Sequence, residues 1–453
     1  MSASRRAWQV TPIVLACFWS AVALPETADE AAWPASCSFS DIPNHELSLV
    51  RAVDMALCSN ADIRSASASV RVRVAQLGEA RAEYLPTLSA SATELHEITS
   101  YPGSHTSATT DTAIALYGVF NWRLFDFGGR HADSKAAAKL LEVALGTRDA
   151  TVQKVLGSVV EDYFDAVTAK ALVSSDSESE TLAAQTLASA ERRLAQGTAA
   201  QSDSLQARTA VARARLATNR ARSSYQTALA LLAQAVGLPT GTPYFVPDDV
   251  VTPTAEDDRG LDAWLDDARS KHPAIVAARA DVEAAQAQVT SARSSGMPTI
   301  DLQANYYANG FPQEGLSATR QRDTTVGIAI TIPLFDGFLN RYKVHEAEAT
   351  VGLKEAALID TERTTLTEIV KAYSDATTAV ANVRDSQTLV EVAQASQESS
   401  KRRYESGAAD IIELLTAQRA LADARQEQVR SLADWRSARL RLLATSGLLS
   451  NIS

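Results

Sequence analysis

An internal duplication is the feature of this 453-residue sequence that most constrains its fold. Two glycines, Gly197 and Gly407, lie 210 residues apart. Each follows an Arg-Arg pair by four and five positions, precedes an acidic residue by six and precedes a leucine by eight. Helical patterns flank both glycines, and glycine enters the left-handed turn conformation at the least cost. The sequence therefore predicts two copies of a helical hairpin, each with its tip at one of these glycines.

Further matching blocks extend the duplication along almost the whole chain. The blocks with an offset of 210 are Leu124-Phe125-Asp126 with Leu334-Phe335-Asp336, and Gly237-Leu238 with Gly447-Leu448. Pro86 and Pro298 lie in a further pair of blocks, at an offset of 212, so we expect a two-residue slip in a loop between the blocks. The predicted organisation is repeat 1 over 47–238, a linker over 239–260, repeat 2 over 261–448 and a tail over 449–453.

Each repeat changes its hydrophobic period in the same order. Apolar residues at three- and four-residue spacing predict a helix from Leu47 to Tyr84, with a break near Asn60. Pro86 ends this helix, and alternation with a period of two follows. The predicted strands cover 86–98 and 112–125 in repeat 1, and 298–309 and 324–335 in repeat 2. A long helical pattern then continues to each tip glycine.

The last predicted strand alternates between apolar and small or polar side chains. Its apolar face carries Val326, Ile328, Ile330, Ile332 and Leu334. A membrane barrel with lipid outside gives this pattern, and so does a soluble sheet with one buried face. The helices favour the barrel, because a helix from about residue 130 to residue 197 spans roughly 100 Å, which no compact domain needs. Four strands are too few for a barrel, which needs about eight, so we expect an oligomer.

The N-terminus has the pattern of a secretory signal peptide, predicted over residues 1–23 and followed by an N-terminal segment over 24–46. Arg5 and Arg6 precede an apolar run that is too short to span a membrane. The sequence that ends at Cys17 also resembles a lipoprotein cleavage box, and lipidation at this cysteine is the minority interpretation.

Two cysteines remain after such a cleavage. Export would place Cys37 and Cys58 in an oxidising compartment, where they can form a disulfide. Two unpaired thiols are the alternative, because the sequence gives no distance between them.

Composition and motifs argue against nucleic-acid binding and catalysis. The formal net charge is −11 and the arginines are spread among acids, so the chain lacks the concentrated basic surface that phosphate binding needs. The six histidines show no paired metal-ligand spacing, and neither a Walker loop nor a Gly-x-Ser-x-Gly motif is present. We therefore expect no cofactor, no metal and no enzymatic activity. The alternatives to an oligomeric membrane barrel are a soluble periplasmic coiled-coil scaffold or adaptor and, more weakly, a periplasmic hydrolase with helical insertions.

From about Leu47 to Leu448 the sequence resembles the TolC family of outer-membrane efflux and secretion proteins. The resemblance rests on the duplicated order of helix, proline-led strand, loop, strand, Leu-Phe-Asp block and hairpin, with paired tip glycines. It implies a mainly α fold with a β-barrel part, in which a homotrimer forms one twelve-stranded outer-membrane barrel continued by a long periplasmic α-helical barrel. It also implies an export channel that works with a periplasmic adaptor and an inner-membrane transporter.

The resemblance implies two functional regions at the hairpin tips. The residues of the tips themselves, Gly197, Thr198, Gly407 and Ala408, would contact the adaptor, and a plain solvated turn is the alternative.

The positions of two cysteines, Cys37 and Cys58, are similar to those in one branch of the family. That branch serves type I secretion of large repeat toxins such as cyclolysin.

The second implied region is a gate. In the family, a tyrosine three positions before the second tip glycine bonds an acid six positions after the first, and these positions are Tyr404 and Asp203 here. Glu413 matches an acid that lines the narrowest ring, whereas Ala409 stands where the family can carry an additional arginine. The alternative is that Asp203 and Glu413 are ordinary acids at helix starts, which complement the helix dipole.

Overall fold

The structure, a computed structural model, describes residues 46–100, 103, 109–239, 241–247, 259–308 and 321–447. The predicted signal peptide, Cys17, Cys37 and the tail over 449–453 lie outside the described residues. The described elements are α1 (Leu49–Ser59), α2 (Ala61–Ala82), β1 (Thr87–Thr99), β2 (Thr109–Phe125), α3 (Gly129–Ala195), α4 (Gln201–Ala235), α5 (Leu261–Lys271), α6 (Pro273–Ser294), β3 (Thr299–Ala308), β4 (Arg322–Thr331), α7 (Leu339–Glu405) and α8 (Ile411–Thr445).

The duplicated sequence forms helices of equal length in the two repeats. Helices α3 and α7 contain 67 residues each, and α4 and α8 contain 35 each. Helices α1 and α5 contain 11 residues, and α2 and α6 contain 22. The break expected near Asn60 is confirmed, because this residue separates α1 from α2 in an extended conformation. Its side chain accepts a hydrogen bond from the Asp62 amide at 2.9 Å and so caps α2.

The four strands form one antiparallel sheet in the order β1-β2-β3-β4. Strands β1 and β3 begin directly after Pro86 and Pro298, since proline has no N–H group to donate to the ladder. Strand β4 ends at Thr331 rather than at the predicted residue 335. The predicted end is wrong because Pro333 has no N–H group with which to continue the ladder.

The strand register places the slip between the repeats in a loop, as expected. Thr87 pairs with Asn121 in the first strand hairpin, and Thr299 pairs with Thr331 in the second. Thr299 lies 212 residues after Thr87, whereas Thr331 lies 210 residues after Asn121. The two-residue difference therefore falls in the connection between the paired strands, where a change of length is tolerated.

The two faces of the sheet differ in polarity. One face carries apolar side chains that are exposed in the protomer, among them Leu88, Leu116 and Val326, of which Val326 is 72% exposed. The opposite face is polar and carries an ion pair between Arg123 on β2 and Asp301 on β3, with the nitrogen and oxygen 3.1 Å apart. This polarity is that of a barrel wall with lipid outside and water inside.

The long helices pack as two antiparallel hairpins. Helix α3 packs against α4 of its own hairpin and against α6 and α8 of the second repeat, and α7 packs against α8 and α6. Helix α3 buries large side chains such as Tyr163, whereas α7 leaves Leu353 and Val392 about two thirds exposed. Across the described part of the chain, we find no helix with the length and hydrophobicity that membrane crossing requires.

The first part of the predicted linker over 239–260 is packed against the repeats. The amide of Leu47 donates to the carbonyl of Phe245 at 2.9 Å. Val246 is fully buried, and its carbonyl accepts a hydrogen bond from Lys170 Nζ at 2.7 Å. The segment therefore fastens the start of α1 to α3.

Candidate gate at the hairpin tips

Both hairpin tips contain the turn that the sequence predicts. Gly197 and Gly407 have φ angles of 72° and 77°, in the left-handed region that favours glycine. The next residues, Thr198 and Ala408, donate their amides to carbonyls five residues earlier, at 2.9 and 2.8 Å. These hydrogen bonds are those of a Schellman motif, which satisfies carbonyls at the end of the preceding helix. All four tip residues are exposed.

The helices that follow the two turns begin differently. Asp410 is the N-cap of α8 and accepts a hydrogen bond from the Glu413 amide at 2.9 Å. The equivalent N-cap of α4 is Ala200, which offers no side-chain hydrogen bond. The acid-x-x-Glu spacing at residues 410–413 is a known capping pattern and could have revealed this role in the sequence.

Glu413 is part of an ion pair that closes the second hairpin. One of its carboxylate oxygens accepts from Arg403 Nη1 at 2.8 Å and from Ser400 Oγ at 3.3 Å. The pair joins the start of α8 to the end of α7. Its position in the first turn of α8 agrees with the helix-start interpretation, and a role in a narrow ring stays a prediction because a ring needs several protomers.

The hydrogen bond expected between Tyr404 and Asp203 is not formed within the protomer. The Tyr404 side chain is 5% exposed and packs in a cluster of Ala190, Ala207, Ile411 and Leu414. Its hydroxyl is buried and makes no hydrogen bond to any residue that the structure describes. The carboxylate of Asp203 instead accepts a hydrogen bond from Ser202 Oγ at 3.2 Å. Apolar packing, which the sequence pattern does not show, surrounds the ring. The bond between Tyr404 and Asp203 stays a prediction for the assembled channel.

Arg193 is a further tip residue whose contacts were not predicted from the sequence. Its Nη1 donates to the backbone carbonyl of Tyr404 at 2.8 Å. Its guanidinium also lies over the Tyr404 ring, 4.8 Å from the ring centre. The duplicated Arg-Arg pairs are the sequence signal that marks this residue and its equivalent Arg403.

The structure leaves the cysteine pairing untested, and the residues that it describes contain no metal-binding cluster. Cys58 lies in α1 and is disulfide-bonded, but Cys37 falls outside the described residues, so their pairing stays a prediction. Within the described ranges, no group of three or more His, Cys, Asp or Glu side chains is placed to hold a metal ion.

Comparison with known proteins shows the family. The profile of the family described as outer membrane efflux protein matches the chain twice, over residues 52–238 and 264–448. The chain belongs to this family.

Two related sequences and one solved structure are similar over different extents. Protein CyaE of Bordetella pertussis is 35% identical over 432 residues, which cover 94% of this chain and 88% of that protein. Alkaline protease secretion protein AprF of Pseudomonas aeruginosa is 24% identical over 57% of this chain and 54% of that protein. The structure of the outer-membrane channel OprN matches with a TM-score of 0.79 and 21% identity, over 88% of this chain and 89% of that one.

Family membership decides between the classes that the sequence left open. The protein is an outer-membrane channel with a β-barrel part and a helical part, and the soluble coiled-coil scaffold is therefore the wrong interpretation. The family consists of channels rather than enzymes, so the hydrolase interpretation receives no support.

Proposed function

We propose that three copies of this chain form one channel across the outer membrane. The observation that carries this proposal is a set of contacts that α3 and β2 of repeat 1 make and that their equivalents in repeat 2, α7 and β4, do not make within the protomer. Within the protomer, α3 packs against α6 and α8, and β2 pairs with β3. The duplication makes α7 with α2, α7 with α4, and β4 with β1 the equivalent pairs. None of these three pairs forms an extensive contact among the described residues of one protomer.

Neighbouring protomers would supply the missing contacts. The free edges of β1 and β4 can extend the sheet, and an unpaired edge is a strong site for strand pairing. Leu353 and Val392 on α7, and Leu205 and Leu216 on α4, are at least half exposed and would be covered in such a ring. Three chains supply twelve strands. Two chains would supply only about the number whose interior is filled by side chains, so three is the smallest ring with an open lumen.

We propose that the hairpin tips dock a periplasmic adaptor, which in turn engages an inner-membrane transporter. The tips Gly197-Thr198 and Gly407-Ala408 are exposed. They lie at the end of 67-residue helices, about 100 Å from the sheet at 1.5 Å per residue. A partner anchored in the inner membrane would therefore meet these residues first.

We propose that the same end of the channel contains the gate. In a trimer, three copies of Tyr404, Asp203 and Glu413 would converge around the axis at the tips. Each Glu413 is already paired with Arg403, so the ring would carry less repulsion than three free carboxylates. A remaining acidic character would favour cations in the narrow passage.

We propose that the cargo is a secreted protein, and multidrug efflux is the second candidate. The similarity to AprF, a relative named for secretion of an alkaline protease, supports the first candidate. The test is deletion of the gene, followed by comparison of the secreted proteome and of drug sensitivity. We expect one or a few proteins to disappear from the medium and to return on complementation. A normal secreted proteome with increased drug sensitivity would favour efflux, and no change in either would contradict both.

A further inference from the structure

We propose that Arg193 is a latch residue, whose contact with Tyr404 holds the second hairpin against the first and must break when the tip opens. This inference rests on the proposed channel function. It differs from the gate implied by the family resemblance, because it uses neither the Tyr404 hydroxyl nor the carboxylate of Asp203.

The latch joins the ends of two helices from different repeats. Arg193 lies in the last turn of α3, and Tyr404 lies in the last turn of α7. The guanidinium donates to the Tyr404 carbonyl at 2.8 Å and covers the face of the ring, 4.8 Å from its centre. A cation at the C-terminus of a helix also complements the helix dipole. One side chain therefore contributes three favourable interactions at this point.

The duplicated arginine shows why Arg193 is free to reach the other hairpin. Arg403 pairs with Glu413, the acid ten positions later, inside its own hairpin. The acid at the same distance from Arg193 is Asp203, whose shorter side chain accepts from Ser202. Arg193 binds the second hairpin instead. The equivalent of Tyr404 in the first repeat is Leu194, which offers no aromatic face for a stacked cation.

Other polar contacts between the hairpins join a different pair of helices. Gln418 bonds Thr186 at 2.9 Å, and Gln426 bonds Asp176 at 2.7 Å. Both contacts join α3 to α8, whereas Arg193 binds the end of α7. Release of Arg193 would therefore free the tip of the second hairpin while the contacts higher along α8 persist.

The buried hydroxyl of Tyr404 supports this division of roles. It has no hydrogen-bond partner among the described residues, so it makes no tie within the protomer. The ring itself is held by the apolar cluster and presents its face to the guanidinium. The carbonyl and the ring face, rather than the hydroxyl, are the groups that Arg193 holds.

The test compares single-channel recordings in planar bilayers with hydrogen exchange over residues 403–411 in the full-length protein. Arg193→Ala should raise both the open fraction and the exchange rate about tenfold, as expected for loss of a charged hydrogen bond and a cation–π contact. Arg193→Lys keeps the charge without the planar stack and should have a smaller effect. Tyr404→Leu, which copies the first repeat, should also loosen the tip. The control is Arg192→Ala, because Arg192 is exposed.

Each outcome bears on the latch. Parental exchange and parental conductance in Arg193→Ala would overturn it. Faster exchange with unchanged conductance would also overturn it, because Arg193 would then be only a structural clamp. A parental protein without conductance would contradict the proposed channel, and the exchange measurement would then show separately whether Arg193 holds the tip.

Discussion

The two repeats have helices of equal length, yet they differ in what their long helices contact. Helix α3 is covered by helices of both repeats, whereas its equivalent α7 exposes large apolar side chains. The short helix α8 in turn buries more residues than its equivalent α4. Repeat 1 therefore faces the inside of the protomer with its long helix, and repeat 2 presents its long helix outward. The long helix of repeat 1 thus makes its contacts within the chain. In our proposal, the equivalent helix of repeat 2 makes its contacts with a neighbouring chain.

The junction between sheet and helix shows the same divergence at a single site. Asp126 and Asp336 both accept a hydrogen bond from the backbone amide four residues later. In repeat 1 that residue is Arg130, whose side chain also returns to the Asp126 carboxylate at 2.8 Å and to the Arg123 carbonyl at 2.8 Å. Burial raises the pKa of Asp126, but hydrogen bonds and charge from Arg130 outweigh it and keep the pKa below its usual range. In repeat 2 the residue is Asn340, which cannot form such an ion pair.

The largest difference between the repeats should appear when these two residues are truncated. Arg130→Ala leaves a carboxylate and strand-end carbonyls without their buried partner and should cost about 3 kcal/mol. Asn340→Ala should cost about 1 kcal/mol or less. Denaturant unfolding of the purified protein measures both values. Equal losses at the two sites would show that the two junctions are energetically equivalent and would contradict a divergence between the repeats.

Local features of the chain could be predicted from the sequence, because their causes are local. Pro86 set the start of a strand, and Gly407 set a turn, whatever packed around them. Pro333 is also present in the sequence, and its missing N–H group explains why β4 is shorter than predicted. The contact of Arg193 with Tyr404 could not be predicted, because it joins residues 211 positions apart through the packing of two hairpins.

The next effect in size concerns the two tips. Gly407→Val and Gly197→Val each force a β-branched residue into the left-handed region, at about 1–2 kcal/mol. A Cβ would meet no atom within 4 Å at either site, so backbone strain is the main effect. Each variant should reduce retention of the adaptor in a pull-down, and the double variant should abolish it. Full adaptor binding by the double variant would show that the tips are not the docking site.

The smallest expected difference between the repeats is a pH-dependent change in stability. It concerns the residue between α1 and α2 in repeat 1 and the residue between α5 and α6 in repeat 2. In repeat 1, Asn60 accepts from the Asp62 amide and donates to the carbonyl of Ala235 at 3.2 Å. In repeat 2, His272 takes this place, and its Nδ1 accepts from the Ala274 amide at 3.3 Å. Burial lowers the pKa of His272, although a hydrogen bond to a backbone carbonyl partly opposes this effect. The cap in repeat 2 therefore depends on a neutral imidazole.

The sign of the pH effect follows from this lowered pKa. The stabilisation is fully present above the ordinary histidine value of 6.5 and is lost as the pH falls through the lower folded-state pKa. Protection factors for hydrogen exchange at the start of α6, which correct for the slower intrinsic exchange at low pH, should be lower at pH 5 than at pH 7.5, by up to the about 1 kcal/mol that one cap contributes. His272→Asn should remove this pH dependence, and Asn60→His should create it in repeat 1. A parental protein whose α6 exchange changes with pH no more than that of His272→Asn would contradict the assignment.

In the proposed trimer, the contacts absent from one protomer are made between protomers in the same register. In the protomer, Asn121 on β2 pairs with Gln303 on β3. The duplication places Thr331 of β4 opposite the partner subunit's Ser91 on β1. Directly opposite side chains on neighbouring strands have Cβ atoms about 5 Å apart, which a short thiol cross-linker spans.

The most direct measurement is therefore cross-linking of the double variant Ser91→Cys/Thr331→Cys in outer membranes, read on denaturing gels. We expect covalent dimers and trimers as the products, with none in the parental protein. The matched control is Ser91→Cys/Thr325→Cys, whose cysteines would lie about 20 Å apart along the strands and should not react. Monomers alone from the first variant, or equal cross-linking of the second, would contradict the predicted register and with it the ring.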